Sequence, residues 1–117
     1  MQLSETTFQG ALRVSGYGPG FFRIGEQVMR GPILLCGAKS LPWEGLHEVG
    51  PLVALASEVD VLFIGMGNEM TVLSDELRLT LEEAGIGIEP MSSPAACRTY
   101  NVLLGEGRRV ALAAVPV

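Results

Sequence analysis

The chain is 117 residues long, room for one domain, and its 48% hydrophobic and 18% charged residues suit a packed core rather than a disordered chain. Eight Lys and Arg against 13 Asp and Glu leave a net charge of −5. Nucleic acids and anionic membranes are bound by clustered cations, so neither is an expected partner.

The N-terminal stretch Met1 to Gly10 carries neither a basic n-region nor an apolar h-region, so no secretory signal is read there. No window of the chain nears the roughly 18 uninterrupted apolar residues of a membrane-spanning helix. The expectation is a soluble, cytoplasmic protein with one domain over residues 1–117. Fifteen glycines and 7 prolines predict short elements joined by tight turns.

Leu12 and Val14 alternate with polar neighbours, Gly16-Tyr17-Gly18-Pro19-Gly20 interrupts, and Phe22 and Ile24 resume the alternation. Period two on both sides of a glycine-rich break predicts a β-hairpin. Ile24 to Val28 reads as a second turn. Val28–Arg30 and Ile33–Cys36 read as strand segments parted by Gly31-Pro32, a bulge or edge signal. Lys39 to Leu46 reads as irregular and holds the single tryptophan, Trp43. Pro51 can open a short helix reaching Ser57 that buries Leu52, Leu55 and Ala56.

The second half alternates strand and helix. Val59 to Ile64 is almost continuously apolar, as in a strand buried on both faces. After Gly65-Met66-Gly67-Asn68 comes a helix with Ser74 as N-cap, Asp75 and Glu76 in its first turn, and Gly85 as its left-handed stop. Leu77, Leu81 and Ala84 form its apolar stripe. Ile86 to Glu89 reads as a strand ended by Pro90. Ser93-Pro94 supplies the cap and first residue of a helix running to about Leu104 with Gly105 as terminator, and Arg109 to Val115 is a final strand. This order predicts an α/β fold: a single three-layer domain with a mixed β-sheet flanked by helices and an N-terminal β-hairpin region.

Two places could carry chemistry. Gly65, Gly67 and Asn68 follow a buried strand, where backbone N–H groups can face an anion, and Glu89 ends the next strand. The dinucleotide fingerprint needs a third glycine where Met70 stands, so the pattern is incomplete. The other place is the start of the last helix. Cys97, Tyr100, Asn101 and Leu104 share a face there by i, i+3, i+4 spacing. The helix dipole and Arg98 could lower the thiol pKa, while a free cysteine more often packs as a small hydrophobe. Cys97, Arg98 and Asn101 are therefore candidate ligand residues alongside the Gly65–Asn68 turn.

His47 is the sole histidine and the two cysteines, Cys36 and Cys97, are scattered. No catalytic triad, metal site or cofactor is read from that set. Trp43 is open to two roles, core plug or partner anchor, and Tyr17 in the glycine-rich turn is a further candidate partner contact.

The run Ala95 to Leu103, followed by Glu106-Gly107-Arg108 and Val110, resembles the small domain of unknown function found in mitochondrial NADH dehydrogenase (complex I) assembly factor 3 and in short bacterial and archaeal proteins. Gly16 to Phe22, Gly31-Pro32-Ile33-Leu34-Leu35, Trp43 and the pair Gly65 and Gly67 are similar to that family's motifs too. The chain departs at Cys36-Gly37, where the family often has proline, and at Met66, where it often has a Gly-Thr-Gly turn. The resemblance implies a three-layer α/β domain with a mixed sheet and no established enzymatic activity. It also implies action through protein partners, since the mitochondrial relative binds other assembly factors and complex I subunits. The expected function is a non-enzymatic, assembly-factor-like binding module. The alternative is a small-molecule or anion site, or a weak enzyme, at the Gly65–Asn68 turn and the Cys97–Asn101 helix start.

Overall fold

A computed structural model describes residues 6–7, 10–68 and 72–117. Met70 and most of Met1 to Gly10, on which two of the sequence readings fall, lie outside them. The elements in chain order are β1 (Thr6–Thr7), β2 (Val14–Gly18), β3 (Phe21–Ile24), β4 (Gln27–Arg30), β5 (Ile33–Cys36), β6 (Lys39–Leu41), α1 (Gly50–Val53), β7 (Val61–Met66), α2 (Asp75–Glu83), β8 (Gly87–Met91), α3 (Ser93–Gly105) and β9 (Val110–Val115).

They form a six-stranded sheet of order β1-β6-β5-β9-β7-β8 and a three-stranded sheet of order β2-β3-β4. The large sheet is mixed. β7 runs parallel to both β8 and β9, while β5 is antiparallel to β9 and β6. The chain steps from β7 to β8 through α2, then back past β7 to β9 through α3. Right-handed crossovers that step in opposite directions put their helices on opposite faces of a sheet.

The side chains record that split. Successive residues of a strand point to opposite faces, and the central strands feed two cores. Leu34, Cys36, Leu62, Ile64, Ala111 and Ala113 pack with Trp43, Leu52, Leu77 and Leu81 on the α1–α2 side. Ile33, Leu35, Phe63, Leu112 and Ala114 pack with Phe22, Ile24, Ala96 and Tyr100 under α3 and the small sheet. The three layers are thus α1 with α2, the large sheet, and α3 beside the small sheet.

Several boundaries differ from the sequence reading, each for a local reason. β2 runs through the glycine-rich stretch to Gly18, and the break is the two-residue turn Pro19-Gly20, with Gly20 at φ +80°. Lys39 to Leu41 is a strand, not irregular chain; it pairs with β5 across Gly37 at φ +60°. Pro90 lies inside β8 rather than ending it, and β8 is an end strand of the sheet, where a missing N–H is tolerated. Ser92, not Ser93, caps α3 by accepting from the Ala95 N–H, and the left-handed residue after the helix is Gly107, not Gly105. Ser74 and Gly85 stand where the pattern put them, at the two ends of α2.

Candidate functional site

The turn after β7 and the start of α3 meet at one buried side chain. Because Ser92 takes the capping role, Ser93 Oγ is left to point into the protein, and the residue is 1% exposed. Its hydroxyl accepts from the Gly67 N–H at 2.8 Å and donates to the Val115 carbonyl. The Ser93 N–H donates back to the Gly67 carbonyl at 2.7 Å. One residue therefore ties the ends of β7 and β9 to the helix.

Gly65 makes this approach possible. A Cβ on it would lie 2.7 Å from Ser93 Oγ and 2.9 Å from both the Ser93 Cα and the Ala114 Cβ, closer than atoms pack. Gly67, at φ +95°, turns the chain beneath. The anion cradle anticipated at Gly65, Gly67 and Asn68 therefore has no Gly67 N–H to offer. Gly65 and Gly67 are buried in the joint, and only Asn68 is exposed. The sequence reading named Ser93 only as a cap; the signal it passed over is the doubled serine before Pro94.

The candidates on α3 lie elsewhere, against the small sheet. Tyr17, Cys97, Arg98 and Asn101 line an open depression of about 170 Å³ together with Pro94, Val14, Ser15 and Gly16. The structure thus brings four sequence candidates together and separates them from Gly65, Gly67 and Asn68. A broader hollow of about 590 Å³ beside the β3–β4 turn, lined by Arg13, Ser15 and Glu26 among others, contains none of them.

Two of the α3 side chains are committed to the fold. Asn101 bonds both backbone groups of Val14, accepting from its N–H at 3.0 Å and donating to its carbonyl at 2.8 Å. Tyr100 is fully buried and donates its hydroxyl to the Leu12 carbonyl at 2.9 Å. Burial holds that phenol well above its ordinary pKa, with Cys36 a smaller contribution.

Cys97 is 5% exposed and sits one turn inside the helix rather than in its first turn. Burial pushes its thiol up to about 11 against a smaller opposing effect of Arg98. The lowered pKa that a reactive thiolate needs is thus replaced by the opposite shift. Cys36 is also a free, buried thiol shifted upward by burial.

Trp43 takes the first of its two possible roles. It is 2% exposed in the α1–α2 core, and its indole N–H donates to the Glu48 carbonyl at 2.8 Å. As a partner contact its ring is out of reach. Tyr17, 44% exposed, and Arg98, exposed and without an ion pair among the described residues, join Asn68 as the candidates that face solvent.

A family model described as "Protein of unknown function (DUF498/DUF598)" matches residues 14–115. The chain belongs to this family. An uncharacterized protein of Rhodobacter capsulatus is 48% identical over 113 residues, covering 97% of this chain and 91% of that protein. The NADH dehydrogenase [ubiquinone] 1 alpha subcomplex assembly factor 3 of Drosophila melanogaster is 31% identical over 115 residues, covering 90% of this chain and 59% of the assembly factor. The chain spans roughly three fifths of that relative's length, so the family domain is one part of the assembly factor.

Among solved structures, the crystal structure of an outer membrane protein from Bartonella henselae superposes with a TM-score of 0.85 at 34% identity, over 94% of this chain and 98% of that one. This chain shares that fold, and the motifs read from the sequence, from the Gly16–Phe22 hairpin to the α3 run, fall within the residues that the family model matches. No helix among the described residues is long and apolar enough to cross a membrane.

Proposed function

We propose that the chain is a protein-binding module of assembly-factor type that performs no chemistry of its own. The observation that carries this reading is the employment of the polar residues around α3. Ser93, Tyr100 and Asn101 spend their hydrogen bonds on the chain itself, and the thiol between them is buried with a raised pKa. What remains on the surface, Tyr17 and Arg98, are residue types that favour protein interfaces. The assembly factors in the family lend the reading its biological direction, toward the building of respiratory complexes.

A second reading, a small-anion site, is favoured by Arg98 at the depression. Its volume of about 170 Å³ is below the roughly 300–1,000 Å³ of pockets that enclose organic ligands, so a free ligand enclosed there would be a small anion. Affinity purification of the tagged chain from its own cells is the test. A reproducible protein partner is the expected result. No reproducible partner overturns it, and stabilisation of the fold by phosphate or a carboxylate in a thermal-shift panel then favours the anion site; a ligand at 100 times its Kd adds about 2.7 kcal/mol.

A further inference from the structure

The depression at α3 is bounded on its other side by a strand edge. β2 is an end strand, paired with β3 in the register Val14↔Ile24, Gly16↔Arg23, Tyr17↔Phe22 and Gly18↔Phe21. In an antiparallel pair, residues whose backbone groups bond across the ladder alternate with residues whose groups point away. Gly18 and Phe21 close the two-residue turn, so the N–H and carbonyl of Tyr17 face away from β3. Those of Val14, beyond the bulge, face the same way, and Asn101 takes both. The Asn101 amide stands in for one residue of a neighbouring strand. The next outward-facing position along the edge, Tyr17, borders the depression, with Arg98 across from it on α3.

We propose that this groove takes an extended segment of a partner protein, which adds beside Tyr17 as a short strand and sets an aspartate or glutamate side chain on Arg98. The inference rests on the protein-binding reading and specifies its surface. An extended peptide supplies both a donor and an acceptor, which suits an edge residue whose N–H and carbonyl have no partner among the described residues; strand addition of this kind is a general mode of peptide recognition. A bare anion would satisfy the N–H and be repelled by the carbonyl. The charge of the partner follows from the local cation Arg98, exposed and with no ion pair among the described residues. Guanidinium and carboxylate meet in a two-bond geometry that lysine cannot reproduce. The exposed Tyr17 ring gives the segment an amphipathic surface to lie on.

The test uses the full chain labelled with ¹⁵N and a set of acetylated, amidated hexapeptides of alternating Val and Thr. One glutamate is scanned through the six positions, and each peptide has a glutamine counterpart. The expected result is that at least one glutamate peptide shifts the amide signals of Gly16, Tyr17, Gly18 and Arg98 and slows hydrogen exchange at Tyr17. Its glutamine counterpart is expected to bind more weakly, and Arg98→Glu to lower affinity about tenfold. Arg98→Gln gives an intermediate loss and guards against a folding artefact in the charge reversal.

The proposal is overturned if no peptide shifts Tyr17 at millimolar concentration, if glutamate and glutamine bind alike, or if Arg98→Glu leaves affinity unchanged. A partner found by affinity purification and retained equally by the wild type and Arg98→Glu removes this groove but leaves the protein-binding reading standing. The absence of any partner removes that reading itself.

Discussion

Asn101 on α3 holds both backbone groups of Val14, a residue 87 positions earlier in the chain, with bonds of 3.0 and 2.8 Å. A side chain that sequence spacing marks as a possible ligand residue is thereby a clasp between helix and small sheet. Asn101→Ala is expected to destabilise the fold by about 2–3 kcal/mol, because two hydrogen bonds are lost and two backbone groups are left partly buried without partners. The check is urea unfolding: the midpoint falls while the slope stays constant.

Ser93 and Gly65 form the second joint, and their variants should differ in kind. Ser93→Ala leaves the Gly67 N–H and the Val115 carbonyl unpaired inside the protein, at about 2 kcal/mol. Gly65→Ala drives a methyl against the Ser93 Cα and the Ala114 Cβ as well as the hydroxyl, an overpacking cost of about 1–3 kcal/mol. Because the backbone and Ala114 contacts remain after the hydroxyl is gone, Ser93→Ala is not expected to rescue Gly65→Ala. Unfolding of the double variant decides this, and recovery of stability would place the clash on the hydroxyl alone.

The Cys97 thiol gives the fold a dependence on alkaline pH. Its folded pKa, about 11, lies above its ordinary value of 9.0. The resulting stability is fully present below pH 9 and is lost as pH rises from 9 through 11, since the unfolded thiol ionises first. The loss approaches about 2–3 kcal/mol. Cys36 and Tyr100 shift in the same direction, so the measurement is the difference between wild type and Cys97→Ala across that range. The same burial makes Cys97 slower toward iodoacetamide at pH 8 than the thiol of an unfolded peptide; equal or faster alkylation would contradict the packing.

Trp43 offers an intrinsic probe of the α1–α2 core. Enclosed and hydrogen-bonded to the Glu48 carbonyl, its fluorescence is expected to be blue-shifted and shielded from acrylamide until the chain unfolds. Trp43→Phe removes the N–H and leaves that carbonyl without its donor, at about 1–2 kcal/mol. Emission as quenchable as free tryptophan would place the ring at the surface.

Much of the architecture was legible because it is written in local pattern. The apolar run of β7, the Ser74 cap and Gly85 stop of α2, and the alternation of Phe22 and Ile24 each encode an element within a few residues. β6 was not legible: of Lys39, Ser40 and Leu41 only Ser40 is buried, and its partners are supplied by β5 and β1 rather than by its own pattern. The extent of β2 through Gly16 and Gly18 was masked by glycines that weaken any strand signal. At the site, spacing did place Cys97, Tyr100 and Asn101 on one face of α3. What they touch was beyond reach, since Val14 and Leu12 are nearly ninety residues away, and the division of labour between Ser92 and Ser93 depends on a one-residue shift of the helix start.

Amide hydrogen exchange tests most directly whether the polar residues of α3 serve the fold. The Gly67 N–H, bonded to Ser93, and the Val14 N–H, bonded to Asn101, are expected to exchange only through global unfolding, with protection that tracks stability in urea. Tyr17, between them in the structure's logic but on an open edge, is expected to exchange orders of magnitude faster. Exchange of Gly67 or Val14 at the rate of an unprotected loop would contradict the account.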